Sequence, residues 1–263
     1  MSTPDIRIQV DPANPGQFFG CCGLLEMAGR ISADAEGRFT SDSFEIVNAG
    51  DLPSLINAIT SAPLRQLDAD NATSTRIQIE SPFNLRLDWW RDDVPALAAL
   101  KVWAGTMESF RIARAMQHAM RAEIFSTVGL LNAGDVAYDP DDLEKKVEPF
   151  YFDARRGPNA HSRDVGFSPN DLSMTTTAFP AVEFLCLVGL QRCRPVPVPP
   201  TRSRIYDYFL WSQPLAPLLL PAAVAGLFGR ERGYRFESWF RTGQKKHKAF
   251  ITAKSINLQP TDP

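Results

Sequence analysis

The segment at residues 14–31 constrains the fold of this chain more than any other feature. Asn14 suits a helix N-cap, Pro15 suits the first helical position, and Gln17 follows three residues after the cap, as in a capping box. The predicted helix carries three glycines on one face: Gly16, Gly20 and Gly23. Three glycines in one helix cost about 2–3 kcal/mol relative to alanine. We therefore expect a close backbone approach on this face, either from helix–sheet packing or from a phosphate at the amino-terminal end.

The composition describes an ordinary globular protein. Of 263 residues, 44% are hydrophobic and 22% are charged, which excludes a disordered tail, a collagen or a coiled coil. The longest apolar stretch, residues 214–228, is interrupted by three prolines, and the amino terminus has no basic-then-apolar leader. We therefore expect a soluble, cytoplasmic protein without a membrane span.

Cysteine and histidine give no sign of a metal centre. The four cysteines form no CxxC pair, and the three histidines are widely separated. Because the neighbours of the cysteines are apolar, we interpret them as buried thiols in a reducing compartment. No metal and no cofactor are expected.

Alternating and helical patterns together predict an α+β fold, with antiparallel sheets and packed helices. The predicted helices cover residues 14–31, 51–62, 106–133 and 179–191. The predicted strands cover residues 6–10, 38–40, 43–47, 75–80, 83–89, 150–152, 205–211, 234–240 and 250–256. Residues 135–148 are predicted to form an acidic loop.

Charge is divided unevenly along the chain. Residues 1–144 hold 11 Lys/Arg against 21 Asp/Glu, whereas residues 145–263 hold 17 against 9. We therefore expect two lobes in one continuous fold: an acidic lobe at 1–134, an acidic linker at 135–149 and a basic lobe at 150–263. Such a division indicates a basic surface for a polyanion, or an acidic surface that packs against a basic one.

Two basic elements in the second half lie beside aromatic residues, and we interpret them as a nucleic-acid interface. Lys and Arg attract phosphates without regard to sequence, and aromatic rings stack on unpaired bases. The expected phosphate contacts are Arg155, Arg156, Arg163, Arg241, Lys245, Lys246 and Lys248. The expected readers of bases or grooves are Asn159, His161 and Gln244. A weaker candidate is the helical stripe Arg111, Arg114 and Arg121, for which an ordinary solvated face is the alternative.

No nucleotide-binding, hydrolase or metalloprotease motif occurs in the chain. Two catalytic alternatives remain: Cys21 as a nucleophile with His161 as its base, and a metal-dependent nuclease that uses Asp153, His161 and Asp164. We favour loop-ordering ion pairs between the two aspartates and adjacent arginines, so no catalytic residue is expected.

Several motifs resemble one family of CRISPR-associated proteins. These are VDPANPGQFFGCCGLLE at 10–26, FYFDARR at 150–156, DVGFSP at 164–169, PAVEFL at 180–185 with GLQR at 189–192, and the segment from FRT at 240–242 to Phe250. They are similar to the compact large subunit of the type I-U (I-G) effector complex, also called Cascade. The similarity touches both ends and the middle of the chain.

The resemblance implies a non-enzymatic subunit of an RNA-guided DNA surveillance complex in antiviral defence. Such subunits lie near the 5′ end of the guide RNA, sense the motif that flanks the DNA target, and help recruit a helicase-nuclease. The implied partners are guide RNA, target DNA, and the backbone and guide-processing subunits. The chain is short for a large subunit, so the helical bundle that often contacts displaced DNA is not implied. Two other functions remain open: a nuclease or guide-RNA processing enzyme, and a protein-only scaffold.

Overall fold

The computed structural model describes residues 3–91, 98–156, 177–199, 204–241 and 247–256. Its helices within these ranges are α1 (Pro15–Ile31), α2 (Leu52–Ser61), α3 (Ser109–Ala119), α4 (Pro180–Arg192) and α5 (Leu220–Val224). Short 3₁₀ turns occur at Trp89–Arg91, Glu123–Ser126 and Pro217–Leu219. None of the helices described has the length and apolar character needed to cross a bilayer.

The strands form small antiparallel sheets, which confirms the α+β prediction. One sheet has the order β1 (Ile6–Gln9), β3 (Ser43–Val47), β2 (Glu36–Phe39), and another has β4 (Leu64–Gln66), β5 (Ile77–Ile79), β6 (Leu85–Leu87). The third contains β12 (Lys248–Phe250), β11 (Gly233–Phe240), β10 (Ile205–Phe209) and β9 (Val196–Pro197), with β13 (Lys254–Ile256) also paired to β11. A fourth pair, β7 (Tyr138–Asp139) and β8 (Asp142–Lys146), forms a hairpin.

Helix α1 begins as the sequence predicts but packs differently. The side chain of Asn14 accepts a hydrogen bond from the amide of Gly16, whereas Gln17 accepts from the amide of Asp11 at 2.6 Å and does not close a capping box. The glycine face lies against helix α4, so the expected helix–sheet packing is wrong. A Cβ on Gly23 would lie 2.0 Å from the carbonyl oxygen of Leu185.

The contact between α1 and α4 is reciprocal. A Cβ on Gly189 of α4 would lie 2.0 Å from the carbonyl oxygen of Phe19 of α1.

Core residues from both sides of residues 135–149 belong to one hydrophobic cluster. The division into two lobes stays a prediction.

The long helix predicted at 106–133 is wrong in its second half. Helix α3 ends at Ala119, Ala122 is extended (φ −67°, ψ 141°), and a 3₁₀ turn follows. Phe125, Leu130 and Leu131 still reach the core. Ile124 and Val128, which a continuous helix would place on its apolar stripe, are exposed instead, so the turns bury a different set of apolar positions.

Three other local predictions are wrong. The single strand predicted at 250–256 is interrupted at residues 251–253, which separate β12 from β13. The acidic segment predicted as a loop contains the hairpin β7–β8, and residues 150–152 do not form a strand. Tyr151 has φ +76°, which is outside the range of a β-strand. The amides of Phe152 and Asp153 instead donate to the carboxylate of Glu183 at 3.1 Å each, so a buried side chain replaces the sheet partner.

Candidate nucleic-acid interface

A buried polar network joins the start of α1 to the segment that carries Arg155 and Arg156. Asn14 Nδ2 donates to Asp153 Oδ1 at 3.1 Å, and Asn14 Oδ1 accepts from the amide of Ala154 at 3.1 Å. Both Asn14 and Asp153 are buried. Because buried polar groups are expensive to leave unpaired, this network fixes the backbone from which the two arginines extend.

Glu183 belongs to the same network, because its carboxylate accepts from the amides of Phe152 and Asp153. Its burial raises its pKa to about 7, against the opposing effect of the amides of Asp153 and Phe152. The nearby charge of Asp153 raises the pKa further. The carboxylate is therefore a titratable group in the neutral range, held inside the protein.

Arg155 makes contacts within the chain. Its Nη2 lies 2.6 Å from Asp153 Oδ2 and 2.8 Å from the carbonyl oxygen of Leu131. The guanidinium also lies 3.5 Å from the centre of the Phe179 ring. The ion pair between Asp153 and the adjacent arginine, which the sequence favours over a metal site, is therefore present.

Arg156 and Arg241 share one aromatic ring. Their guanidinium carbons lie 5.0 and 3.7 Å from the centre of the Tyr151 ring. Arg156 also pairs with Glu148 at 3.4 Å and donates to the carbonyl oxygen of Thr177. Burial lowers the pKa of Arg241. These two arginines hold the segment around Tyr151 in place.

Lys248 also points inward. Its Nζ donates to the carbonyl oxygen of Ala99, and its burial, with the charges of Arg204 and Lys101, lowers its pKa to about 8. The other candidates from the two basic elements lie outside the described residues: Asn159, His161, Arg163, Gln244, Lys245 and Lys246.

The arginine stripe of α3 is engaged by the hairpin β7–β8. Arg111 Nε lies 2.7 Å from Asp139 Oδ2, and Arg114 forms two hydrogen bonds to Asp141 at 2.5 and 2.9 Å. Arg121 Nη2 donates to the carbonyl oxygen of Thr60 at 3.2 Å. The acidic hairpin therefore neutralises two of the three stripe residues.

The structure brings together a second set of arginines that sequence reasoning missed. Two clefts of about 330 and 370 Å³ adjoin at Asp88, which lines both. Their arginines come from five separate segments of the chain: Arg30, Arg76, Arg86, Arg91, Arg192 and Arg194. We call this pair of clefts the Asp88 clefts.

Carboxylates are shared between the arginines of the Asp88 clefts. Glu26 pairs with both Arg30 and Arg192, and Asp68 pairs with both Arg76 and Arg91. Asp88 pairs with Arg86 at 2.8 Å. Five arginines therefore share three carboxylates among these ion pairs of the described residues, so each set of shared partners carries more positive than negative charge.

The position of Asp88 is fixed by the end of helix α4. Gln191 Oε1 accepts from the amides of Asp88 and Trp89 at 2.9 and 3.1 Å, and Gln191 Nε2 donates to Asp88 Oδ1 at 3.0 Å. The side chains of Arg86 and Arg91 on either side are 58% and 44% exposed. Guanidinium groups in this setting can bind phosphate oxygens in a bidentate manner.

The aromatic residues divide into core and surface groups. Trp89, Trp90 and Trp103 are buried and contact one another through their edges. Trp239 on β11 is 44% exposed, and the guanidinium of Arg204 lies 5.1 Å from its ring centre. Of the aromatics beside the second basic element, Trp239 has the exposure that stacking on a base requires.

The described residues do not assemble the alternative catalytic sites. All four cysteines are buried, and burial raises the pKa of the Cys21 thiol, which keeps it protonated and a poor nucleophile. No group of three or more His, Cys, Asp or Glu able to hold a metal occurs within the described ranges. His161 and Asp164 lie outside them.

Comparison with known proteins found no matching family model, curated protein or solved structure.

Proposed function

We propose that this protein is a non-catalytic, cytoplasmic subunit of an RNA-guided DNA surveillance complex, and that it binds the nucleic-acid backbone through the Asp88 clefts. The observation that carries this proposal is the set of five arginines that share three carboxylates in and beside these clefts. A phosphate that enters either cleft would contact guanidiniums that already share their carboxylate partners. The motif resemblance supports the assignment to the large-subunit position, near the guide RNA 5′ end and the DNA flanking motif.

Arg155 and Arg156 are therefore no longer the expected contacts to the nucleic-acid backbone. Those side chains bond to Asp153, Leu131, Thr177 and Glu148, so they support the fold. Arg86 and Arg91 have greater exposure and face solvent clefts. They are the residues to change first.

The experiment is a comparison of two double variants of the full chain. Arg86→Gln with Arg91→Gln removes two cleft charges, whereas Arg7→Gln with Arg65→Gln removes two exposed charges from other surfaces. Binding to single- and double-stranded oligonucleotides is measured across several salt concentrations. The slope of log K against log salt is negative, and loss of two phosphate contacts should reduce its magnitude by about 2. Equal slopes for the two variants would contradict the proposal.

Membership of a guide complex is tested by co-purification from the source cells. Bound short RNAs with repeat-derived ends, together with backbone subunits, are the expected result. Recovery of the protein without RNA would contradict its membership of a guide complex. The measured binding of oligonucleotides would not be affected by that result.

A protein-only scaffold is the second candidate, because four large apolar side chains near α5 are exposed. Leu218, Leu219, Leu227 and Phe228 near α5 are exposed. Burial of such side chains is typical of contacts between subunits. Binding of a protein partner that does not compete with oligonucleotide would favour this function.

A further inference from the structure

A third cleft lies between the carboxyl-terminal end of α2 and helix α3, and it shares no lining residue with the Asp88 clefts. Its volume is about 550 Å³, within the range of sites for small ligands. One wall is formed by residues 60–64, the other by residues of α3 and the turn after it, and Pro140 of the hairpin contributes at the edge. We call it the α2–α3 cleft.

The ionisable side chains that line the α2–α3 cleft are all basic. They are Arg114, His118 and Arg121, and no carboxylate is among the lining residues. Arg114 is held by Asp141, which stands outside the lining. In the described part of the chain, neither His118 nor Arg121 pairs with a carboxylate. Within the described residues, the cleft therefore holds the Arg121 cation and a basic imidazole without a carboxylate partner.

The backbone of α2 would ordinarily repel an anion here, because a helix carboxyl terminus carries partial negative charge. Gln117 Nε2 donates to the carbonyl oxygens of Ile59 and Ala62 at 2.8 Å each. Arg121 Nη2 donates to the carbonyl oxygen of Thr60. The carbonyls of Ile59, Thr60 and Ala62 are thus occupied by donors, and the opposite wall of the cleft carries Arg121 and His118.

The surroundings of His118 disfavour the protonated form of its imidazole. Burial lowers the pKa of His118, and the charges of Arg121 and Arg114 lower it further. A bound anion would favour the protonated imidazole, because an opposite charge nearby stabilises the charged form.

We propose that the α2–α3 cleft binds a phosphate group through Arg121 and His118, with Ser61 at its rim. The phosphate belongs either to a free nucleotide or to the end or backbone of a nucleic acid. This proposal does not depend on the guide-complex function or on the Asp88 clefts.

The test follows the imidazole resonances of His118 in the full chain by NMR, with His118→Gln to assign them among the three histidines. Inorganic phosphate and pyrophosphate should shift the His118 signal in a saturable manner, and sodium chloride at equal ionic strength should not. Arg121→Gln should weaken binding about tenfold or more, because a charge-assisted hydrogen bond is lost. Arg121→Lys should retain part of the affinity, and Arg7→Gln, an exposed residue that is not part of the lining of this cleft, should retain all of it.

Two further arms distinguish the sources of the phosphate. Adenosine monophosphate and a short 5′-phosphorylated oligonucleotide are compared with the same oligonucleotide lacking the phosphate. Tighter binding of the oligonucleotides indicates a nucleic-acid ligand, and equal binding of both phosphorylated ligands indicates recognition of the phosphate group itself. A linear, non-saturating shift, or one unchanged in folded Arg121→Gln, would overturn the proposal.

Discussion

Asn14 and Asp153, which are 139 positions apart in sequence, are joined by a buried hydrogen bond of 3.1 Å from Nδ2 to Oδ1. The same asparagine caps helix α1 by accepting from the amide of Gly16, and it accepts from the amide of Ala154. One side chain therefore satisfies groups from both halves of the chain. Its removal affects a cap and a long-range contact together.

Asn14→Ala should lower the free energy of unfolding by about 2–3 kcal/mol, since it removes a cap and leaves buried groups unpaired. Asp51→Ala is the matched control, because Asp51 caps α2 at an exposed site by accepting from the amide of Ser54. That change should cost about 1 kcal/mol. Urea denaturation of both variants measures the difference, and equal losses would show that the buried contacts of Asn14 add nothing.

Gly23→Ala should destabilise the protein by about 2 kcal/mol or more, because the added methyl overlaps the carbonyl of Leu185 and forces α1 away from α4. Gly20→Ala lies in the same helix, and its Cβ would meet Leu131 at an ordinary 3.5 Å. Its higher helix propensity should make it neutral or stabilising by up to about 1 kcal/mol. Thermal and urea unfolding of the pair tests the reciprocal glycine contact; a destabilised Gly20→Ala variant with an intact Gly23→Ala variant would contradict it.

The contribution of Glu183 to stability should fall as pH rises from about 5 to 7. The pKa of Glu183 is about 7 in the folded protein and 4.5 for an unperturbed carboxyl, so the folded state binds more protons in this interval. The effect on the free energy of unfolding is on the order of 2–3 kcal/mol. Glu183→Gln should remove this part of the pH dependence. Denaturation at several pH values compares the two proteins, and parallel profiles would rule out Glu183 as the source.

Lys248→Met should leave affinity for oligonucleotides within about twofold of the original protein, because Lys248 is turned toward Ala99 and away from the surface. The pKa of Lys248 is lowered from 10.5 to about 8, so the unfolded state binds more protons between these values. The free energy of unfolding should therefore rise with pH across that interval, and the variant should lack this rise. A large loss of affinity in a folded variant would restore Lys248 as a phosphate contact.

The sequence was informative where one segment determines its own conformation. The cap at Asn14, the helices α2 and α4, and the hairpin of β2 and β3 follow from local signals and are present. The close approach of another backbone to the glycine face of α1 could also be predicted. Its partner was not, because nothing local to α1 specifies a contact with Gly189.

The candidate interface was less predictable for the same physical reason. Runs such as residues 155–156 are conspicuous in sequence, yet their charges are used by internal partners. The Asp88 clefts gather single arginines from segments as distant as Arg30 and Arg192, and four of the six lie in the half with net negative charge. Net charge along a chain does not determine charge on a surface when the fold mixes both halves.

The glycine contact between α1 and α4 also has a consequence for biosynthesis. About 150 residues separate the end of α1 from the start of α4, so translation at roughly 5–20 residues per second leaves α1 without its partner for about 10–30 s. During that interval the buried face of α1 is accessible to chaperones on the ribosome. A nascent chain that stalls before α4 emerges should bind such chaperones, and the complete chain should release them.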